Sequence, residues 1–112
     1  MNRNLKLVVN NTFKKEKNYF FEKDELQSIL NLYAKMVSNG SWKDYGLAIS
    51  SKKVTFSIFK NAAENAVYKI CKTFKPINHN LKYSITDSNC KIINNSSSLE
   101  NLILRTKWKK IK

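Results

Sequence analysis

The candidate side chains for acid–base or nucleophilic chemistry are few and scattered: Asp44, Glu64, Asp87, Glu100, the single histidine His79, and the two thiols Cys71 and Cys90. General acid–base work needs two ionisable groups held together in a cleft with separated pKa values. Here the carboxylates fall on turns and caps, and Asp87 and Glu100 have backbone N–H groups to accept. A dyad of Cys71 or Cys90 with His79 is conceivable, because the loop carrying His79 joins the two cysteine-bearing strands. Buried thiols and a loop histidine are the competing expectation, since a reactive thiolate needs an electropositive, partly exposed setting. The cysteines stand 19 positions apart with no CxxC and one histidine, which excludes a zinc site of ordinary ligand spacing. The 2 glycines stand singly and make no phosphate loop. No cofactor and no enzymatic activity are expected.

Charge is the stronger signal. Among 112 residues, 21 are basic and 8 acidic, a formal charge of +13. The basic set is 19 Lys to 2 Arg and is accompanied by 15 Asn, a bias that an A+T-rich genome accumulates without any partner selecting for it. Scarce arginine also argues against base-specific DNA reading, which relies on the planar guanidinium. By region the charge is +4 over 1–21, −1 over 22–42, +5 over 43–75, 0 over 76–104 and +5 over 105–112. The tail sets Lys107, Lys109 and Lys110 around Trp108, a composition that can sit on phosphates while the indole stacks; the competing arrangement folds Trp108 back onto the sheet.

These groups must be placed by a small set of elements. Leu26, Ile29, Leu30, Tyr33 and Val37 recur at three and four residues, predicting a helix over about 23–38. Glu22, Asp24 and Glu25 occupy its favourable first turn, and Asn39-Gly40 supplies a left-handed stop. The period then switches to two through Leu47 and Ile49, Val54 to Phe59, Ala66 to Cys71, Leu81 to Thr86 and Cys90 to Ile92, giving five short strands at hairpin spacing. A sixth, edge strand is expected near Leu5 to Val9. Ser97-Ser98-Leu99-Glu100 reads as a capping box opening a second helix over about 98–106.

The expected fold is therefore α+β: a five- or six-stranded antiparallel meander sheet with two amphipathic helices on one face. The domain would span 22–106, between a basic segment over 1–21 and a basic tail over 107–112. Val54, Phe56, Ile58, Ala66, Tyr68, Ile70, Leu81, Tyr83, Ile85 and Ile92 should face the helices. Thr55, Ser57, Phe59, Val67, Lys69, Cys71, Lys82, Ser84, Thr86 and Lys91 should line the open face. Within that face, Phe59 with Lys69, Lys82 and Lys91 imitates a stacking platform for single-stranded RNA, though without the aromatic pair that gives such platforms their affinity. No apolar run approaches the length of a membrane span. The short N-terminal apolar stretch lacks the form of a signal peptide, so a cytoplasmic protein is expected, with no role for the sequons at Asn10, Asn94 and Asn95.

The segments 26–49, 54–60 and 66–72 resemble a family of short alphaproteobacterial proteins grouped as domain of unknown function 2794. The resemblance rests on Leu32-Tyr33 late in the helix, Gly40, Trp42, Lys43, Asp44 and Tyr45 after it, and the strand Phe56-Ser57-Ile58-Phe59. It covers about half of the chain and departs from the family at Cys71, where members carry an acidic residue. It implies an intracellular α+β protein and no catalytic residue. Taken together, the expectations are a small bacterial binding or adaptor domain that docks an acidic partner through its sheet face and basic tail, or a sequence-nonspecific RNA- or DNA-binding protein using the same surface. For Trp42, Asp44 and Tyr45 two readings stand: packing under the helix end, or a partner surface.

Overall fold

The computed structural model describes residues 20–61 and 65–108. The chain runs through α1 (Lys23–Ser38), β1 (Asp44–Ile49), β2 (Lys53–Phe59), β3 (Tyr68–Thr73), a 3-10 turn (His79–Leu81), β4 (Tyr83–Asp87), β5 (Ile92–Ser96) and α2 (Leu99–Arg105). The five strands pair in chain order, each antiparallel to the next. This is the α+β meander with two helices that the change of period predicts. The strand expected near Leu5 to Val9, and Lys109 and Lys110 of the tail, lie outside the described residues.

Both helices pack on one face of the sheet. Ile29, Leu32 and Met36 of α1 and Leu99 and Leu102 of α2 share a buried cluster with Val54, Phe56, Ile58, Tyr68, Ile70, Tyr83 and Ile85. Register accounts for the strand contribution, since Phe56 lies opposite both Leu47 and Ile70, and Ile70 opposite Ile85. Each fully buried side chain of this size contributes about 1.5–3 kcal/mol relative to an exposed one. No helix among the described residues is long and apolar enough to cross a membrane.

Four local expectations are corrected. The inward stripe of α1 is Ile29, Leu32 and Met36, with Leu30 and Val37 left exposed on its flank. The reason is Glu25, which points to the sheet and shares a helix face with positions 29, 32 and 36. α2 is capped by Ser98 in place of Ser97: the Ser98 hydroxyl accepts from Asn101 N–H at 3.3 Å. Leu81 is exposed because it sits in the 3-10 turn ahead of β4. Ile92 is exposed because the register shifts between Ile85 and Thr86, which puts it opposite Thr86 on the open face.

Gly40 ends α1 as its position predicts. Its φ of 84° is open to glycine at little cost, and the turn it permits lets Ser41 N–H reach Met36 O at 2.9 Å. A Cβ at Gly40 would meet nothing within 4 Å, so backbone conformation and not space sets the requirement.

Candidate functional site

Because both helices lie on one side, the other face of the sheet is uncovered among the described residues. Alternation along the strands and the paired register set Thr55 beside Cys71, Cys71 beside Ser84 and Ser84 beside Asn95; the next row is Ser57, Lys69, Thr86 and Ile92. The face is thus rich in hydroxyls. Lys69 stands near its middle and Lys53, exposed, at one end. Phe59 is half-buried at the far end of β2, and its ring lies against Gly46: a Cβ there would come within 3.8 Å of Phe59 Cε2.

The predicted cations do not all join this face. Lys82 lays its ammonium over the ring of Tyr83, 5.4 Å from the centroid, and Tyr83 belongs to the helix-covered side. Lys91 is exposed in the β4–β5 turn, where its N–H donates to Asp87 Oδ1 at 3.0 Å. Lys107 is exposed beyond α2. Trp108 turns back on the core: its ring meets Trp42 at 5.5 Å and Tyr68 at 5.0 Å, both edge to face, and its Nε1 donates to Ile103 O at 3.2 Å. An indole committed in this way is withdrawn from stacking on a base.

Of the residues carrying the family resemblance, Tyr33, Trp42, Tyr45 and Phe56 form one aromatic cluster, and Phe59 lies on the other face of the sheet. Tyr45 stacks on Phe56 at 4.9 Å with ring planes 6° apart, and Tyr33 closes on both, at 5.1 Å and 6.1 Å. Trp42, 1% exposed, extends the cluster toward Tyr68. Its Nε1 is buried and has no hydrogen-bond partner among the described residues. Leu32 is buried beside them, and Asp44 accepts the Tyr45 N–H at 2.8 Å. Packing under the helix end is therefore the role the geometry gives Trp42.

A polar cluster that the sequence reading did not single out sits between the layers. Lys72, 3% exposed, donates from Nζ to Glu25 Oε1 and to Phe20 O, each at 2.9 Å. Glu25 Oε1 also accepts the Glu22 N–H at 2.7 Å, and Tyr83 donates its hydroxyl to Glu25 Oε2. Burial alone would raise the Glu25 carboxyl, but the bonds from Lys72, Tyr83 and the Glu22 backbone, with the Lys72 charge, hold it below its ordinary value. Burial, and then the bond to Glu25, push the Tyr83 hydroxyl well above the ordinary tyrosine range. Each group is committed to another, so the cluster clamps the start of α1 to β3 and β4. Strand parity signals it: Lys72 follows Tyr68 and Ile70 on the inward side.

Thiol chemistry finds no assembled dyad. Cys71 is buried, its sulfur 3.6 Å from Thr55 Oγ1. Cys90 and His79 lie beyond opposite ends of β4, separated by roughly 13 Å of strand. No group of three or more His, Cys, Asp or Glu among the described residues could hold a metal ion.

With this geometry in hand, known proteins add one finding. The family model described as protein of unknown function (DUF2794) matches residues 19–103, from just ahead of α1 into α2. No curated protein and no solved structure matches the chain.

Proposed function

The chain belongs to the DUF2794 family, and we propose that it is a non-catalytic binding domain whose open sheet face docks an acidic protein. The observation that carries this reading is the face left uncovered among the described residues: a hydroxyl-lined surface with Lys53 and Lys69 and the apolar Phe59, in a chain of charge +13. The buried ionisable groups, by contrast, are spent on one another in the Lys72, Glu25 and Tyr83 clamp. A bacterial cytosolic setting accords with two thiols that form no disulfide.

The second reading, nonspecific RNA or DNA binding, is favoured by the net charge alone. It is weakened by an open face whose one large aromatic is Phe59 and by the engagement of Trp108 with Trp42 and Tyr68. Titration of nuclease-treated protein with polyglutamate and with labelled single-stranded RNA, at two salt concentrations, separates the two. Two variants accompany it: Lys53→Ser with Lys69→Ser, and one with Lys107, Lys109, Lys110 and Lys112 neutralised. The proposal expects the face variant to weaken polyglutamate binding at both salts. RNA binding that falls log-linearly and steeply with salt, is lost in the tail variant and ignores the face variant would favour the nucleic-acid reading.

A further inference from the structure

Among the described residues β1 is an edge strand. Ser50 N–H donates to Lys53 O at 2.8 Å, and from that pair the alternation of an antiparallel ladder turns the backbone groups of Gly46 and Ala48 toward β2 and those of Tyr45, Leu47 and Ile49 outward. The outward direction agrees with Tyr45, whose N–H is taken by the Asp44 carboxylate. Leu47 and Ile49 follow with no such side-chain cap. Proteins commonly blunt an edge with lysine, proline or a bulge. Lys43 N–H donates to Phe59 O at 2.9 Å although Phe59 pairs with Asp44, so the ladder is irregular where it begins; from Asp44 to Ile49 β1 holds no lysine or proline and its register with β2 is continuous.

The side chains beside this edge are apolar. Tyr45, Leu47 and Ile49 point to the helix side of the sheet yet remain 44%, 44% and 61% exposed. Leu30 and Val37, a turn either side of Tyr33 on α1, are also exposed, and Tyr33 packs on Tyr45. Exposed apolar side chains thus accompany strand hydrogen-bonding groups that face away from β2. Exposed lysines stand at both ends, Lys52 and Lys53 after β1 and Lys43 before it, where the neighbouring exposed Asp44 accepts the Tyr45 N–H through its carboxylate.

We propose that this edge receives an extended segment of the partner protein, apolar at alternate positions over about five residues and acidic at both ends, which adds to the sheet beside β1. The idea rests on the reading above only for the partner's acidity, and its surface shares with the open face only Lys53, which borders both. A second copy of the chain fits less well. Antiparallel pairing of two β1 strands would bring Lys43 of one copy toward the Lys52-Lys53 end of the other, with a second charge of +13. A nucleic acid cannot match the alternating N–H and C=O groups of a strand.

The test titrates the full chain with a synthetic peptide of alternating valine and threonine flanked by two glutamates at each end, following affinity and the amide exchange of Leu47 and Ile49. Exchange at both amides should slow by about tenfold or more at saturation. Ile49→Lys and Leu47→Pro should each weaken binding by about tenfold or more, while Lys69→Ser on the open face changes it by less than about twofold. A peptide N-methylated at alternate residues examines the same contact without altering the protein, and it should not bind. The proposal is overturned if the methylated peptide or a lysine-flanked one binds equally well, or if exchange is unchanged. It is likewise overturned if the Leu47 and Ile49 amides are already protected in the free monomer, or if the chain sediments as a dimer that Ile49→Lys dissociates. Peptide binding at β1 with no effect of Lys53→Ser and Lys69→Ser on polyglutamate would retain the edge and discard the open-face reading.

Discussion

At the scale of single residues, Lys72 and Glu25 carry the sharpest consequences. Removing one partner of a buried ion pair leaves the other charge desolvated and uncompensated, so Lys72→Ala should cost about 3 kcal/mol in urea unfolding, while the double change Lys72→Met with Glu25→Gln should cost less than the single one. The pH dependence follows from the two shifts. Glu25 is held below its ordinary value in the folded protein, so its contribution is present at neutral pH and is lost as pH falls through the carboxylate range toward that lower value; Glu25→Gln should flatten this acid limb. Tyr83 is held above its ordinary value, so its contribution is present at neutral pH and is lost as pH rises past the ordinary tyrosine range toward the folded value; Tyr83→Phe should flatten the alkaline limb. Melts across pH measure both. Lys72 was legible in principle, because a lysine two positions after Ile70 in a strand must face inward. Its acceptor was not, since nothing local ties Glu25 to a residue 47 positions away.

At the scale of elements, the sequence identified α1, the five strands and α2 wherever a period ran for several residues. It misplaced side chains where one extra residue or one hydrogen bond decided the outcome. Ile92 is the case of the extra residue: the register shift after Ile85 reverses its face, and no composition marks that shift. The turn before β5 carries a prediction of its own. Cys90 sits at φ 64° in a turn closed by Cys90 N–H to Asp87 O, a conformation that costs a side chain roughly 1 kcal/mol, so Cys90→Gly should raise stability by about that amount in denaturant unfolding. Trp108 illustrates the opposite limit. Its basic neighbours advertise a surface tail, yet the indole caps α2 through Ile103 O and covers Trp42. Trp108→Ala should therefore lower stability by about 2 kcal/mol, less than the cost of a fully buried tryptophan, with the loss read by thermal unfolding.

At the scale of the whole molecule, two helices on one side of a five-stranded meander leave one sheet face and the β1 edge uncovered among the described residues, and the proposed binding uses both. The charge of +13 is legible in any composition count, whereas its arrangement is not. Lys72 is consumed in the interlayer clamp and Lys82 lies over Tyr83, which leaves Lys53 and Lys69 as the cations that define the open face. The most direct measurement is a residue-by-residue map of amide shifts while polyglutamate is added to the protein at physiological salt. The account predicts that the largest changes fall on Ser57, Lys69, Thr86 and their neighbours on the open face and disappear in the Lys53→Ser, Lys69→Ser variant. Changes confined to α1, α2 or the tail, or changes that persist in that variant, would contradict it.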